Sequence, residues 1–212
     1  MLKVNEIYAS IQGESSHTGL PCVFIRLTGC NLRCTWCDTA HAFYDGKNMN
    51  IVEILQEVET HKLPLIEITG GEPLMQENVY PLMDALLEKG YQVMLETGGS
   101  LSIEKVPEKV LKILDIKCPG SGEESKNHLE NLNYLSSHDE IKFVLLDRAD
   151  YDWSRKLIQE YDLGSSAQIL FSPVYDKLDL KDLSKWILED QLPVRLQTQL
   201  HKVIWSKDTI GV

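Results

Sequence analysis

An α/β fold with a mainly parallel sheet is what the sequence predicts, and two observations predict it. Short apolar runs of strand length alternate with segments of helical periodicity, and the residues just after the strands are polar or glycine-rich. The strand candidates supply fewer strand–helix units than a closed eight-unit barrel requires. On such folds ligands bind at the carboxyl ends of the strands, which is where the chemistry-bearing segments of this chain fall. No internal repeat, low-complexity tract or linker interrupts the pattern, so 1–212 is expected to form a single domain with a sizeable core.

The elements follow in order. Partial alternation over 4–11 predicts a first strand, and Gln12-Gly13-Glu14 a turn after it. The run 21–27 is strand-like, but Arg26 interrupts its apolar residues. A buried guanidinium needs an anionic partner, and its planar fork matches a carboxylate bidentately; a structural ion pair with Glu6 or Glu14 would satisfy it. A polar stretch containing Asp45-Gly46 precedes a helix over 50–58, opened by the capping residue Asn50. The short apolar strand 65–69 ends in Gly70-Gly71-Glu72-Pro73, where paired glycines let a ligand approach the backbone and Glu72 is available to an ammonium group. The same residues also suit a strand-to-helix turn. An amphipathic helix over 78–89 is stopped by Gly90. A strand over 91–95 closes on Glu96-Thr97-Gly98-Gly99, another over 110–117 on Cys118-Pro119-Gly120, and a polar loop follows. Next come a strand over 141–146, in which Lys142 reads as a face lysine without a role, and a helix over 150–161. The strand 168–173, the helix 180–188 and a final alternating strand over 194–202 complete the chain. A lone histidine such as His201 is more often structural than catalytic.

Composition sets bounds. The apolar and charged fractions, 43% and 25%, are those of an ordinary globular protein. A formal net charge of -11 argues against a nucleic-acid-binding face, which would need a basic patch. No basic region leads into an apolar one at the N-terminus, and no apolar run approaches a membrane span, so neither signal peptide nor membrane segment is expected. Five cysteines, odd in number and three of them clustered, suit a reducing cytoplasm better than a disulfide framework.

Those three are Cys30, Cys34 and Cys37, spaced C-x3-C-x2-C directly after a strand. Three thiolates on one tight loop can hold an iron–sulfur cluster, whose usual complement is four, and so leave one iron open to an outside ligand. Zinc with His41 as a fourth ligand is the rival. The residues between the thiols are polar, as in an exposed loop rather than a core segment.

C-x3-C-x-aromatic-C, with Trp36 in the aromatic position, resembles the signature of the radical S-adenosylmethionine (SAM) superfamily. Within it the chain resembles the 7-carboxy-7-deazaguanine synthase family. The resemblance runs nearly end to end through Gln12-Gly13-Glu14, Phe24-Ile25-Arg26, Gly29-Cys30, Trp36-Cys37-Asp38-Thr39, Thr69-Gly70-Gly71-Glu72-Pro73, Glu96-Thr97-Gly98-Gly99 and Gln199-Leu200-His201-Lys202, in the family's order.

The resemblance implies an incomplete (β/α) TIM-like barrel with a radical SAM core, shortened after the cluster loop. It implies a [4Fe–4S] cluster on Cys30, Cys34 and Cys37, and SAM held by Trp36, Cys37, Asp38, Gly71, Glu72, Glu96, Asp115, Ile116, Lys117 and Ser172. Where the family more often has Ser-Pro-Lys this chain has Asp115-Ile116-Lys117, so only Lys117 matches. Mg2+ would bind the hydroxyl of Thr39, as a hard cation prefers oxygen. The implied substrate, 6-carboxy-5,6,7,8-tetrahydropterin, would meet Ile11, Gln12, Gly13, Glu14, Arg26, Thr69 and Val212, with Arg26 on its carboxylate. A 5′-deoxyadenosyl radical would take hydrogen from C6. Ring contraction with loss of ammonia would then give 7-carboxy-7-deazaguanine, a precursor of queuosine, and SAM would be regenerated. An electron donor such as a flavodoxin or ferredoxin and a homodimer complete the expectation. Two alternatives stand beside it: an activase that installs a glycyl radical on a partner protein, and a zinc- or cluster-binding module without catalysis.

Overall fold

The computed structural model describes residues 1–206 and 209–211; the expected contact of Val212 lies outside the described residues. Strands β1 (Leu2–Ile11) and β2 (Pro21–Leu27) pair antiparallel, with Glu6 opposite Arg26, and β3 (Lys47–Met49) adds antiparallel to β1. From β2 the sheet continues in parallel through β4 (Leu65–Gly70), β5 (Gln92–Thr97), β6 (Leu111–Ile116), β7 (Glu140–Leu145), β8 (Gln168–Pro173) and β9 (Arg195–Leu196). The order β3-β1-β2-β4-β5-β6-β7-β8-β9 leaves β3 and β9 as edges, so the barrel-like sheet is open.

Four helices cover its outer face: α1 (Ile51–His61), α2 (Val79–Glu88), α3 (Arg148–Glu160) and α4 (Leu180–Glu189). Asn50 begins α1 as expected, its side chain accepting from Glu53 N at 3.0 Å while the Glu53 carboxylate accepts from Asn50 N at 2.7 Å. The β5–β6 connection contains no helix and the β6–β7 connection only short 3-10 turns, so part of the ring is pared down.

The period of two along each strand separates two chemistries. Val23, Ile25, Ile66, Ile68, Val93, Leu95, Leu114, Ile116, Ile141, Phe143, Ile169 and Phe171 pack outward against the helices in the main core. Each such side chain contributes about 1.5–3 kcal/mol on burial, so this layer holds the sheet together. The alternate residues face inward. Cys22, Phe24, Leu65, Met94 and Ile113 form a small apolar plug at the amino ends. Toward the carboxyl ends the same faces carry Arg26, Glu67, Thr69, Glu96, Asp115 and Lys142.

Two expectations need correction. The strand 194–202 is only β9, and a short helix α5 (Leu200–Ile204) follows it. Gln199 to Lys202 leave the sheet because they are claimed elsewhere: Leu200 N donates to Gly13 O at 2.9 Å and Lys202 Nζ to Asp38 Oδ2 at 2.6 Å. Conversely, Lys47–Met49 lies in the stretch read as polar loop; only Met49 is buried, so it carries almost no alternation to read.

Candidate active site

The thiol loop leaves β2 at Gly29, whose φ of +101° turns the chain sharply. It is held from two sides. Thr35 N donates to Ser121 O at 3.0 Å, and Glu72 N donates to Gly29 O at 2.7 Å, which ties the Gly70-Gly71-Glu72-Pro73 turn against it. A Cβ on Gly71 would lie 2.2 Å from Gly29 O and 2.6 Å from Cys30 Cβ, so glycine is required there by contact. Cys30, Cys34 and Cys37 are free thiols lining one cavity of about 710 Å³ at the carboxyl ends of the strands. Burial raises the thiol pKa of Cys30, and that of Cys34 to about 11.

The residues present suit a cluster. Three free thiols on one loop, all facing one cavity, are the complement that an iron–sulfur cluster with one open iron needs. No fourth thiol is at hand: Cys22 sits in the apolar plug, and Cys118 Sγ is 3.4 Å from Ser154 Oγ, both buried. His41, the candidate fourth zinc ligand, has its Nε2 3.5 Å from Glu6 Oε1. Donors and acceptors for a polar cofactor face the same cavity from Asp38, Glu96, Asp115 and Lys117. Asp115 Oδ2 pairs with Lys117 Nζ at 3.0 Å, while its Oδ1 is buried without a hydrogen-bond partner among the described residues.

Lys142 is the centre of the inner face. Its Nζ lies 2.9 Å from Glu14 Oε2 and 3.6 Å from Asp115 Oδ2, and it also donates to Glu96 Oε1. Burial alone would lower the lysine pKa, but the three carboxylates outweigh it and hold the ammonium charged. Burial likewise pushes the carboxyls up. For Glu14 the ammonium of Lys142 wins and the pKa falls; for Glu96, with Glu14 and Asp115 beside it, the net is upward. Arg26 donates from Nε to Glu6 Oε1 at 2.7 Å and from Nη2 to Tyr8 Oη at 2.8 Å, which makes the structural pair with Glu6 the one formed. Tyr8 stacks on Phe24 with centroids 5.1 Å apart, giving the cavity an aromatic wall.

The segment after β1 crosses the open side of the sheet. Gln12 Oε1 accepts from Glu14 N at 3.0 Å, and Gln199 Nε2 donates to Glu14 Oε1 at 3.0 Å and to Asp38 Oδ2 at 3.2 Å. Thr39 Oγ1 donates to Asp38 Oδ1 at 2.9 Å. Burial would raise the Asp38 pKa, but Lys202, Thr39 and Gln199 hold it well below the usual range. A Cβ on Gly13 would meet His201 Nδ1 at 2.3 Å.

Of the residues singled out from sequence, Ile11, Gln12, Gly13, Glu14, Arg26, Trp36, Asp38, Thr39, Thr69, Gly71, Glu96, Asp115 and Lys117 line the cavity with the three cysteines. Three do not. Glu72 is fully buried, its oxygens accepting from Leu74 N (3.0 Å), Gly98 N (2.8 Å) and Thr97 Oγ1 (2.9 Å). It braces the turn and has no free oxygen for an ammonium group. Ile116 points outward into the helix-packed core, and Ser172 is buried outside the cavity lining. Lys142, which reads from sequence as a face lysine without a role, and Glu67, which no motif includes, are cavity residues. The signal for both was the one that marked Arg26: a lone charge inside an apolar strand.

Comparison with known proteins agrees with this geometry. Residues 24–119 match the radical SAM superfamily model. The chain is 47% identical over 228 residues, covering all of both chains, to the 7-carboxy-7-deazaguanine synthase of Koribacter versatilis (strain Ellin345). It is 42% identical to that of Chlorobaculum tepidum, covering 100% of this chain and 97% of the relative. The crystal structure of QueE from Escherichia coli shares the fold, with a TM-score of 0.78, 22% identity and 94% of each chain covered. The chain is a radical SAM enzyme and belongs to the 7-carboxy-7-deazaguanine synthase family.

Proposed function

We propose that this enzyme converts 6-carboxy-5,6,7,8-tetrahydropterin to 7-carboxy-7-deazaguanine with loss of ammonia, on the route to 7-deazapurine nucleosides such as queuosine. The observation that supports it most is the sharing of one cavity by the three-thiol loop, the Arg26 guanidinium and the carboxylates gathered on Lys142. Loss of ammonia alone is redox-neutral, so SAM is returned rather than consumed.

Cys30, Cys34 and Cys37 would hold the [4Fe–4S] cluster, and Trp36, Asp38, Gly71, Glu96, Asp115 and Lys117 would surround SAM. When bound, the cluster and SAM supply reductive carbon–sulfur cleavage and hydrogen-atom transfer. The chain's own residues orient and enclose. Arg26 keeps Nη1 free of acceptors among the described residues, and this nitrogen would take the substrate carboxylate. Gln12, Glu14 and Thr69 would hold the heterocycle, with the acids already fixed by Lys142 before substrate arrives. Glu72 shapes the turn that carries Gly71.

Thr39 would offer its hydroxyl to Mg2+, a hard cation that prefers oxygen and would help orient the substrate carboxylate. A flavodoxin or ferredoxin as electron donor, a homodimer, a cytoplasmic location and a single catalytic domain over 1–212 belong to the same reading. No helix among the described residues is long and apolar enough to cross a membrane.

The test is anaerobic turnover of iron-reconstituted protein with SAM, magnesium, reductant and the pterin, read by mass spectrometry. Formation of 7-carboxy-7-deazaguanine, abolished by Cys34→Ala, is expected. SAM cleavage without that product would reject the substrate while keeping the radical chemistry.

A further inference from the structure

We propose that Glu67 reads the substrate, its carboxyl group donating a hydrogen bond to an acceptor atom on the pyrimidinone half of the bound heterocycle. The inference rests on the pterin reading above and extends it to a residue that none of the chain's motifs marks.

Position comes first. Glu67 lies on the inner face of β4, with Thr69 two residues further along the same face, and it pairs in register with Phe24 on β2 and Met94 on β5. It therefore sits where the apolar plug ends and the cavity begins, one layer deeper than Thr69, Arg26 and Glu96. The residue is 3% exposed, yet it lines the cavity. Gln12 Nε2 donates to its Oε2, and its Oε1 takes no hydrogen bond from a described residue.

Charge counting then decides its form. Glu14, Glu96 and Asp115 share the ammonium of Lys142, and Asp115 has Lys117 as well. Glu67 has no cation within ion-pair distance among the described residues. An ionised carboxylate there would be buried, unpaired and beside two other acids, each of which favours the neutral form. The charged and titratable groups that face it are Tyr8 on β1, Glu14 after it, Cys22 and Arg26 on β2, Glu96 on β5, Asp115 on β6 and Lys142 on β7. Burial first, then Glu96 and Glu14, push its pKa well above the carboxylate range, with Lys142 and Gln12 only partly offsetting them. Because the Gln12 amide donates to Oε2, the hydrogen belongs on Oε1, which no acceptor among the described residues occupies. The neighbouring Glu14, Glu96 and Asp115 are acceptors, so Glu67 supplies a hydrogen-bond donor at the cavity floor. A ring carbonyl oxygen or imine nitrogen satisfies it, and leaving a buried donor unmet carries a cost.

The experiment measures KM and kcat for 6-carboxytetrahydropterin with anaerobic holoenzyme at pH 7, in wild type, Glu67→Gln and Glu67→Ala. Gln is isosteric and keeps an N–H donor, so its KM should stay within about threefold of wild type. Ala should raise KM by about tenfold, with kcat less affected and the cluster absorbance retained. If Glu67→Ala does not assemble a cluster, Glu67→Asp, which withdraws the donor by one methylene, should show the same rise. Equal impairment of Gln and Ala overturns the inference. A wild type that does not turn over this pterin overturns the proposed function, and this inference with it.

Discussion

Lys142 Nζ and Glu14 Oε2 lie 2.9 Å apart although 128 positions separate the two residues. The contact joins β7 to the segment that leaves β1. Ser16 N donating to Glu140 Oε1 at 2.9 Å and Leu200 N to Gly13 O at 2.9 Å extend the same crossing. An open sheet is thereby bridged by a polar strap rather than by another strand, and the strap brings Gln12, Gly13 and Glu14 into the cavity.

Removing the ammonium while keeping its volume, Lys142→Met, strands Glu14, Glu96 and Asp115 together in a buried place. Breaking one partner out of a buried ionic set costs about 3–5 kcal/mol. The urea midpoint of the cluster-free variant should fall accordingly, and turnover should be lost. A midpoint equal to wild type would mean that the carboxylates find other relief.

The pH dependence of stability follows from the same set. Burial raises the Glu14 pKa, but Lys142, His201 and Gln199 lower it further than burial raises it, so the folded value is depressed. A depressed carboxylate contributes stability that is fully present above its unfolded value, about 4.3, and is lost as pH falls through the folded value. Cluster-free wild type titrated from pH 7 to pH 3 should lose stability on this account, and Glu14→Gln should show a shallower acid limb. Glu67 and Glu96 are raised, so their contribution has the opposite sign: present below the unfolded value and lost as pH rises through the folded one.

Gly71→Ala is expected to fail at the cluster rather than at the fold. The added methyl would meet Gly29 O at 2.2 Å and Cys30 Cβ at 2.6 Å, and so displace the glycine turn from the thiol loop. Iron and sulfide per chain after anaerobic reconstitution should drop, while the far-UV spectrum is unchanged. Full cluster loading in this variant would contradict the contact.

Arg26→Ala should collapse pterin turnover by about a hundredfold or more, on loss of a charge-assisted contact, while the cluster spectrum persists. Glu6→Gln, which weakens the 2.7 Å pair that orients the guanidinium, should raise KM with a smaller effect on kcat. Unchanged turnover in Arg26→Ala would remove the residue from the site.

Much of this was legible in the chain. Three thiols at that spacing after a strand are explained by ligation and by little else, and the lone Arg26 announces an inner polar face through the cost of burying charge. The same rule applied to Glu67 and Lys142 would have found the rest of the network, since each interrupts an apolar strand just as Arg26 does. Glu72 was less readable. A carboxylate after paired glycines looks available, and only the arrival of Leu74 N, Gly98 N and Thr97 Oγ1 shows it to be spent on the turn. The ends of the final segment were misjudged because Gln199 and Lys202 obey partners far away in sequence, Glu14 and Asp38.

By itself the sequence determined the alternation of strands and helices, the inner and outer faces of each strand, and the loop able to ligate a cluster. Those properties depend on residue order over a few positions: side-chain period, capping and turn preference, ligand spacing. Only the tertiary structure decided which charges meet. Three acids share Lys142, Glu67 is left without a cation among the described residues, and Arg26 keeps to Glu6. A charge pair is chosen by packing that brings distant strands to one cavity, and the energy that selects it exists only once water has been excluded there.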